Sequence, residues 1–250
     1  MEKIKIIKEP DSQKPYIVIY KPKNLPSAPL TADDKNNALS QTIELYPEIT
    51  KVIGRKPIEY GLLHRLDTPT DGLIVIAATQ EAYDFLQSEQ KAGRFLKYYQ
   101  AQCNKLPESI SEYAEGFPAF EAKTEPESNI TIISSYFRSY GEGNKEVRPV
   151  TEKSGKAALK KLGSKKIYTT ECKILSRQND LYNVECKIRE GYRHQVRCHL
   201  AWSGMPITGD VLYNPDKKNA ENLLRFSATK VEFEYPKGDL NSYEITFTWT

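Results

Sequence analysis

Hydrophobic and polar residues alternate with a period of two along several segments of the chain, which is the pattern of strands with one buried face. The segments that show this alternation most clearly are 168–175, 181–188, 231–235 and 242–249. Two further segments, YIVIY (16–20) and LIVIAA (73–78), are almost continuously apolar, which is typical of strands buried on both faces. The pattern therefore predicts a sheet with both central and half-exposed strands.

The segment RFLKYYQAQC (94–103) predicts a further strand. One face would carry Phe95, Lys97, Tyr99, Ala101 and Cys103. Adjacent tyrosines in a strand usually serve packing, whereas a tyrosine beside a charged cleft can carry a proton or stack on a base. The pattern alone leaves both roles open for Tyr99.

Helical patterns are fewer, and they are predicted over 37–46, 80–90 and 155–163. Thr79 is a candidate N-cap of the second helix, and Gly163 is expected to end the third, which is short and basic. This order of elements favours an α+β fold with a mixed, largely antiparallel central sheet and flanking helices and loops over alternating βαβ units. We expect residues 1–250 to form a single catalytic domain.

The composition is ordinary for a globular protein in water, with 39% hydrophobic and 28% charged residues and a net charge of +3 among 250 residues. The four cysteines include no C-x-x-C pair and no zinc-like spacing, so we expect reduced thiols. The N-terminus has no long apolar segment, and no apolar run approaches about 18 residues. These features predict a cytoplasmic protein without a membrane partner.

Basic residues are concentrated between Lys145 and Lys166. They are Lys145, Arg148, Lys153, Lys156, Lys160, Lys161, Lys165 and Lys166. Only Glu146 and Glu152 oppose them in this segment. Such a block can contact phosphates, and it can equally be a solvated basic face. The pattern by itself does not choose between them.

The segment GYRHQVRCHL (191–200) is expected to continue as a helix to 203–204. On a helix Arg193 and Arg197 would share a face, while Val196 and Leu200 would face the core. Two guanidinium groups on one face suit a carboxylate or phosphates, although a solvated basic face has the same spacing. His194 and His199 are five residues apart with no carboxylate to complete a ligand set, so we predict no metal site.

The segment HRLDTPTDG (64–72) places four charged or titratable side chains in a turn before an apolar strand. It is either an ordinary acidic turn or a loop that holds Asp67 or Asp71 for chemistry. A glycosidase pair is disfavoured, because two carboxylates four residues apart in one turn cannot flank a substrate from opposite sides. A kinase-type catalytic loop is also disfavoured, because no Gly-rich phosphate loop precedes it and no D-F-G follows.

Several segments, taken in order, resemble the RluA-type pseudouridine synthases. HRLDTPTDG is similar to the family's H-R-L-D-x-x-T-S-G, and VIYKPKNLPS (18–27) to its N-K-P-x-G-x-P-type opening. KYYQA (97–101) resembles K-x-Y-x-A. The segment 191–213 resembles G-R-T-H-Q-I-R-x-H-L with the following G-x-P-I-x-G-D-x-x-Y. The resemblance spans roughly residues 16–235 and implies that family's catalytic fold.

The resemblance implies roles for four residues. Asp67 matches the family's essential aspartate, which acts at the glycosidic carbon of uridine, and Tyr99 matches the tyrosine that helps to move the proton at C5. Arg197 matches the arginine that pairs with the aspartate. Arg65 matches an arginine that fills the space left by the flipped nucleotide. We assign His64, Arg193 and His194 to substrate binding with Arg65, and expect His64 to be a structural hydrogen-bonder rather than a general base.

The implied reaction detaches uracil from C1′, turns it and rejoins it through C5. A C1′ atom that gains positive character requires an ionised carboxylate close by, and a paired arginine keeps that carboxylate charged. The base must leave the stack to be reached, which requires a pocket. No electrons or phosphoryl groups move, so we expect neither a cofactor nor a metal.

The chain departs from the family pattern in three segments, and in the opening segment the usual glycine is missing from Lys23-Asn24-Leu25. Asp71 stands where the motif has serine, and we expect its side chain to point away from Asp67 and to accept backbone hydrogens in the turn. Tyr192 stands where the motif has arginine, and we expect Arg193 to replace that arginine. With the Asp67 motif so early, we expect no N-terminal S4 domain, so RNA affinity is assigned to a surface patch of the catalytic domain. That patch comprises Lys153, Lys156, Lys160 and Lys161.

The sequence thus predicts a monomeric RNA pseudouridine synthase acting on ribosomal or transfer RNA. The alternative is an RNA-binding relative that has lost catalysis. The departures at Asp71 and Tyr192 favour this alternative, and the presence of Asp67, Tyr99 and Arg197 disfavours it. The target uridine cannot be read from the sequence, because it depends on loop shape and on the fold of the RNA.

Overall fold

The structure is a computed structural model that describes residues 2–121, 123–125, 129–216 and 223–246. The chain forms two compact units. Among the described residues, the first unit comprises 2–98 and 227–246, and the second lies within 99–226. The chain passes from one unit to the other within strands β4 (Leu96–Asn104) and β10 (Phe226–Glu234). The prediction of a single domain stays a prediction.

The first unit is built on a sheet with strand order β1-β2-β3-β10-β11. The bounds are Lys5–Lys8 for β1, Tyr16–Lys21 for β2, Asp71–Ala77 for β3 and Leu240–Glu244 for β11. Neighbours are antiparallel except β3 and β10, which are parallel. In the β2–β3 ladder Tyr16 pairs with Ala77 and Lys21 with Gly72, which places the end of β2 beside the start of β3.

Two helices belong to the first unit, α1 (Ala38–Leu45) and α2 (Gln80–Lys91). The Asn37 side chain accepts from the Ser40 N–H at the start of α1, and the Thr79 side chain accepts from the Ala82 N–H at the start of α2, so each caps its helix. The core joins side chains of β2, β3, α2 and β10, among them Val18, Val75, Leu86 and Phe233. Short 3₁₀ turns lie at Pro47–Lys51 and Pro57–Glu59.

The second unit has antiparallel strands in the order β9-β8-β6-β5, with β7 on β6. The bounds are Lys123–Glu125 for β5, Ile130–Tyr140 for β6, Glu146–Val150 for β7, Tyr168–Gln178 for β8 and Leu181–Ile188 for β9. Its helices are α3 (Lys156–Leu159) and α4 (Gln195–Trp202), with 3₁₀ turns at Ile110–Glu112 and Glu142–Asn144. Cys172 and Cys186 face each other across β8 and β9 as buried free thiols.

The α+β class and the largely antiparallel strand pairing are confirmed. The strands predicted over 16–20, 73–78, 94–103, 168–175, 181–188 and 231–235 are all present, as are the helices predicted over 37–46 and 80–90. The strand predicted over 242–249 is found as β11, which ends at Glu244, and residues 247–250 lie outside the described residues. None of the helices in the described chain combines the length and the hydropathy that a membrane crossing requires.

Two helix predictions are wrong in extent. The predicted helix over 155–163 is only the single turn α3, because the chain then turns toward β6, where the Gly163 N–H donates to the Phe137 carbonyl (2.9 Å). The helix predicted from 191 begins at Gln195. His194 has a left-handed backbone with a φ of 55°, which a helix cannot contain, so Arg193 lies outside α4 and cannot share a helical face with Arg197.

Candidate active site

The loop that carries Asp67 lies in the first unit and is fixed on both sides of that residue. The Ser27 hydroxyl donates to the Leu66 carbonyl (2.8 Å) and accepts from the Leu66 N–H (2.9 Å), so one side chain clamps the residue before Asp67. The Thr70 N–H donates to the Asp67 carbonyl (3.0 Å) and closes the turn. The half-buried Asp67 is therefore presented from a turn with a defined shape.

Gly72 ends this loop where β3 begins. Its φ of +128° is one that L side chains rarely adopt, and a Cβ atom there would lie 2.2 Å from the Ala228 carbonyl oxygen. The glycine therefore permits both the backbone conformation and the close approach of β10.

Lys21 lies beneath the loop at the end of β2 and has no solvent exposure. Its ammonium donates to three carbonyl oxygens, those of Pro22 (2.9 Å), Leu25 (2.7 Å) and Thr68 (3.2 Å). Burial lowers the pKa of Lys21 to about 8, while the nearby carboxylates of Asp71 and Asp67 act in the opposite direction. Lys21 thus anchors the residue that follows Asp67 and brings a positive charge to it.

A role for Lys21 was not predicted from the sequence. The available signal was a lysine followed by proline at the end of an apolar strand, inside the segment 18–27 that resembles the family's opening motif. A lysine in that position is unusual for an apolar strand, because a buried ammonium needs several hydrogen-bond acceptors. Its partners lie up to 47 residues away in the sequence and could not be identified from it.

Asp71 is buried, with 1% of its surface exposed. Its Oδ2 accepts a hydrogen bond from the Tyr20 hydroxyl at 2.8 Å. The expectation that Asp71 accepts backbone hydrogens in the turn is therefore corrected. Asp71 is the first residue of β3, next to the Lys21–Gly72 pair of the β2–β3 ladder, so its side chain meets β2 rather than the turn. Burial, followed by the hydrogen bond to Asp71, raises the pKa of Tyr20 above its usual range.

His64 is held by contacts inside the first unit. Its Nε2 accepts from the Val75 N–H (3.2 Å), and its ring meets the ring of Phe95 edge-on at 5.6 Å. Burial, assisted by the positive charge of Lys97, lowers the pKa of His64 to about 3, so the imidazole is neutral at physiological pH. These contacts support the expected structural hydrogen-bonding role, while a contact with substrate stays a prediction.

Arg65 is exposed and tethered at one point. Its Nη1 lies 3.0 Å from Oε1 of the buried Glu59, which Lys56 approaches at 3.5 Å. The Arg65 side chain keeps 56% of its surface exposed, so the guanidinium remains available to a partner outside the chain. That availability is a requirement of the predicted role in nucleotide flipping, although it does not by itself test that role.

In the second unit Tyr99 lies on the buried face of β4. It is 7% exposed, and its ring stacks on that of Phe226 with centroids 5.1 Å apart and planes 12° from parallel. The stack fixes the plane of the phenol ring. A proton-carrying role for the Tyr99 hydroxyl stays a prediction.

Arg197 lies in the buried helix α4 and makes a two-point ion pair with Asp210. The Nε–Oδ2 and Nη2–Oδ1 distances are both 2.8 Å, and the guanidinium lies 5.4 Å from the ring centre of Tyr213. Asp210 Oδ1 also accepts from the N–H groups of Leu212 (3.0 Å) and Tyr213 (3.2 Å). This arrangement holds the guanidinium in one orientation.

A role for Asp210 was likewise not predicted from the sequence. The signal was present, because Asp210 belongs to the G-D dipeptide within the segment 191–213 that resembles the family. Two charged residues 13 positions apart, one on a helix and one in the following loop, show no periodic relationship, so the ion pair itself was not predictable.

Arg193 and His194 lie before α4 and have separate partners. The Arg193 Nη2 donates to the backbone carbonyls of Asn144 and Glu146, at 2.9 Å for the latter, and thus contacts the loop that leads into β7. His194 Nδ1 is 3.0 Å from the Tyr213 hydroxyl. Tyr192 does not extend a basic face, because its ring stacks on that of Phe137 at 5.0 Å. Substrate binding by Arg193 and His194 stays a prediction.

Fewer of the basic residues between Lys145 and Lys166 are available to a partner than the sequence suggests. Arg148 is buried, 2.6 Å from Glu146 and packed on Phe117 and Tyr140. Lys153 and Lys166 are paired with Glu121 and Glu190. Lys156, Lys160, Lys161 and Lys165 are exposed, and no carboxylate among the described residues lies within ion-pair distance of them. We call these four residues the basic segment.

No group of three or more His, Cys, Asp or Glu side chains that could hold a metal ion occurs within residues 2–121, 123–125, 129–216 and 223–246. His199 is buried, and its ring nitrogens lie next to the hydroxyls of Ser135 (3.0 Å) and Thr170 (2.8 Å). Burial lowers the pKa of His199 to about 3.

Comparison with known proteins agrees with the motifs. The family model described as RNA pseudouridylate synthase matches residues 15–202. The chain therefore belongs to the RNA pseudouridylate synthase family, as its motifs predicted. It is 27% identical over 206 residues to an uncharacterized RNA pseudouridine synthase of Chloroflexus aurantiacus, and 25% identical over 246 residues to a ribosomal large subunit pseudouridine synthase D of Haemophilus ducreyi.

These alignments cover 82% and 93% of this chain, and the chain spans 54% and 63% of the length of those two relatives. Among solved structures, human RNA pseudouridylate synthase domain containing 1 has a TM-score of 0.63 at 16% identity, over 99% of this chain and 84% of its own. Human RNA pseudouridylate synthase domain containing 4 has a TM-score of 0.58 at 17% identity. That match covers 93% of this chain and 85% of the human chain. These structures share the fold of the chain.

Proposed function

We propose that this protein isomerises uridine to pseudouridine in ribosomal or transfer RNA, with Asp67 acting at C1′. The observation that carries the proposal is the geometry of the loop around Asp67, within the region that the family model matches. Ser27 holds the residue before Asp67, and Lys21 holds the residue after it. The name of the Haemophilus ducreyi relative supports a target in ribosomal RNA.

The proposed reaction breaks the bond between N1 of uracil and C1′, turns the base, and forms a bond between C5 and C1′. The C5 proton is lost, and N1 gains a proton, so no oxidant, reductant or cofactor is consumed. A carboxylate near C1′ stabilises positive character at that carbon or attacks it. The Lys21 ammonium brings a positive charge to the loop that carries Asp67, through its hydrogen bond to the Thr68 carbonyl.

The other roles are proposed with this mechanism. Tyr99 would assist removal of the C5 proton, Arg197 would act as counter-ion to the aspartate, and Arg65 would fill the gap left by the flipped nucleotide. The rigid stack of Tyr99 and the fixed guanidinium of Arg197 support these assignments, because a group that moves protons or balances charge acts best from one defined orientation.

RNA binding is proposed for Lys156, Lys160 and Lys161 of the originally predicted patch, supplemented by Lys165. Lys153 contributes less, because its charge is already balanced by Glu121. Lysine ammonium groups act on phosphates as point charges, so this surface would bind RNA without reading its sequence. A cytoplasmic location and a monomeric state are proposed as well, and sedimentation of the purified protein at several concentrations tests the second.

The decisive test maps pseudouridines in ribosomal and transfer RNA from cells with and without the gene. Loss of one or more sites, restored by the wild-type gene and not by Asp67→Asn or Asp67→Ala, is the expected result. Asp33→Asn is the matched control, because Asp33 is an exposed carboxylate of the same unit. If no site disappears and the purified protein isomerises no uridine in bulk RNA, the enzyme proposal is wrong. RNA binding without isomerisation would identify the inactive relative instead.

A further inference from the structure

One buried ammonium lies near two carboxylates in the first unit. Lys21 is fully buried, and the carboxylates that attract it are those of Asp71 and Asp67. Lys21 pairs with Gly72 in the β2–β3 ladder, which brings it beside Asp71, and its Nζ reaches the carbonyl of Thr68, the residue after Asp67. The ammonium therefore lies between the strand that starts at Asp71 and the loop that carries Asp67.

The three hydrogen bonds of Lys21 depend on its charge. An ammonium has three N–H donors, and Lys21 uses them on Pro22, Leu25 and Thr68. A neutral amine has only two N–H donors, so loss of one proton leaves one of these three carbonyls without a partner. The bond to Thr68 is the longest of the three, at 3.2 Å, and is the one expected to be lost.

Asp71 is a buried carboxylate with few polar neighbours. The Tyr20 hydroxyl donates to Oδ2, and Oδ1 has no hydrogen-bond donor within the described part of the chain. From β10 the neighbour in the strand register is Ser227, which carries no charge. From β2 it is Lys21, which pairs with Gly72, the residue after Asp71, and whose ammonium is attracted by the Asp71 carboxylate.

We propose that Asp71 is a positioning residue for Asp67, because it keeps Lys21 charged and so keeps the Asp67 loop tied to the end of β2. The inference rests on the proposed function for its catalytic consequence. The motif that the chain resembles has serine at the position of Asp71, so this chain carries a charged side chain where the motif has a neutral one. Asp71 would extend the alkaline end of the pH range in which the loop is held.

The direction of the pH effect follows from the charges. Burial lowers the pKa of Lys21 to about 8, and the two carboxylates limit that decrease. An opposite charge close to an ionisable group shifts its pKa by about 1–3 units. Removal of the Asp71 charge should therefore lower the pKa of Lys21 by about one unit. The Thr68 contact would then be lost near neutral pH.

The experiment compares the wild type with Asp71→Asn, Asp71→Ser and Tyr20→Phe in two measurements. The first is the pH profile of single-turnover uridine isomerisation, and the second is NMR titration of the Lys21 side chain, which requires no activity. For both Asp71 variants we expect the alkaline limb and the Lys21 titration to move to lower pH together, by about one unit. Tyr20→Phe keeps the Asp71 charge while removing its hydroxyl partner, so both should move by less than about half as much.

The two measurements separate the inference from the proposed function. If the Lys21 titration stays in place in both Asp71 variants, the inference is wrong whether or not the protein is active. If the Lys21 titration moves and the alkaline limb of the activity profile does not, Asp71 affects the pKa of Lys21 but does not position Asp67. The proposal is then also wrong. If no RNA is isomerised by the wild type, the proposed function fails, and the titration still decides whether Asp71 keeps Lys21 charged. Asp71→Ser supplies the result if Asp71→Asn does not fold.

Discussion

Arg197 and Asp210 form a buried ion pair with two parallel hydrogen bonds of 2.8 Å, and their side chains are 4% and 0% exposed. The residue proposed as counter-ion to the catalytic aspartate is therefore already oriented by a second carboxylate within its own unit. This relationship makes Asp210 part of the support of the site, although the motifs alone drew no attention to it.

We expect Asp210→Asn to destabilise the protein. The amide keeps the shape of the side chain but leaves the buried guanidinium without its carboxylate, a change that costs about 3–5 kcal/mol when one partner of a buried pair is removed. The free energy of unfolding in urea measures it. Asp180→Asn is the control, because Asp180 is exposed in the turn between β8 and β9. A loss below about 1 kcal/mol would show that the pair is not an important support.

Arg197→Lys tests the geometry rather than the charge. A lysine keeps the positive charge but cannot make two parallel hydrogen bonds to Asp210. If the role proposed for Arg197 is correct, the rate of isomerisation should fall by at least about tenfold, with a smaller change in RNA affinity. Equal losses in rate and affinity would instead indicate that Arg197 serves RNA binding.

Lys21 predicts a pH dependence of stability with a definite sign. Its pKa falls from an ordinary 10.5 to about 8 in the folded chain, so between these values the unfolded chain binds more protons than the folded one. The free energy of unfolding should therefore rise as pH increases through this range. This gain in the free energy of unfolding is complete above the pKa of Lys21 in the unfolded chain, and it is lost as pH falls through about 8.

Comparison with Lys21→Met isolates that contribution. Relative to this variant, the wild type should gain about 1–2 kcal/mol in free energy of unfolding between pH 8 and pH 10, measured in urea at each pH. Over the same range its activity should decrease, because the neutral amine releases the Thr68 carbonyl. A difference between the two proteins that does not change with pH would mean that Lys21 is not the titrating group.

Gly72→Ala should be strongly destabilising. The φ of +128° disfavours any L side chain, and the added Cβ would meet the Ala228 carbonyl oxygen at 2.2 Å, which is backbone and cannot easily move. We expect a loss of at least about 2 kcal/mol in the free energy of unfolding. Gly155→Ala is a matched control, because a Cβ at Gly155 meets nothing within 4 Å, and it should change stability by less than about 0.5 kcal/mol. Equal losses of stability in the two variants would contradict the role given to Gly72.

The basic segment predicts a salt-dependent loss of RNA affinity. Lys160→Glu with Lys161→Glu should weaken RNA binding and reduce the slope of log affinity against log salt, because fewer counterions are released. Lys35→Glu with Lys51→Glu changes the net charge equally at two exposed lysines of the first unit, and it should have a smaller effect. If both pairs weaken binding equally, the effect reflects total charge and the basic segment is not the RNA surface.

Much of the fold was predictable because its signals are local. Alternation identified the strands from 168 to 188, and the predicted cap at Thr79 marked the beginning of α2. Several motifs in order, including the one around Asp67, were sufficient to predict the family, since their residue types and spacing are themselves the signal. The same local reasoning placed Arg193 on a helix, and that was wrong, because a single left-handed residue at His194 lies outside any periodic pattern.

By itself the sequence determined the secondary structure of most segments, the α+β class, the family, and the residues proposed to do chemistry. Only the tertiary structure decided which charges are available and which are already satisfied. It buried Arg148, paired Arg197 with Asp210, and placed Lys21 beneath Asp67 and Asp71. The physical reason is that these pairings depend on strand register and loop closure between segments distant in the chain, whereas residue patterns report only on neighbours a few positions apart.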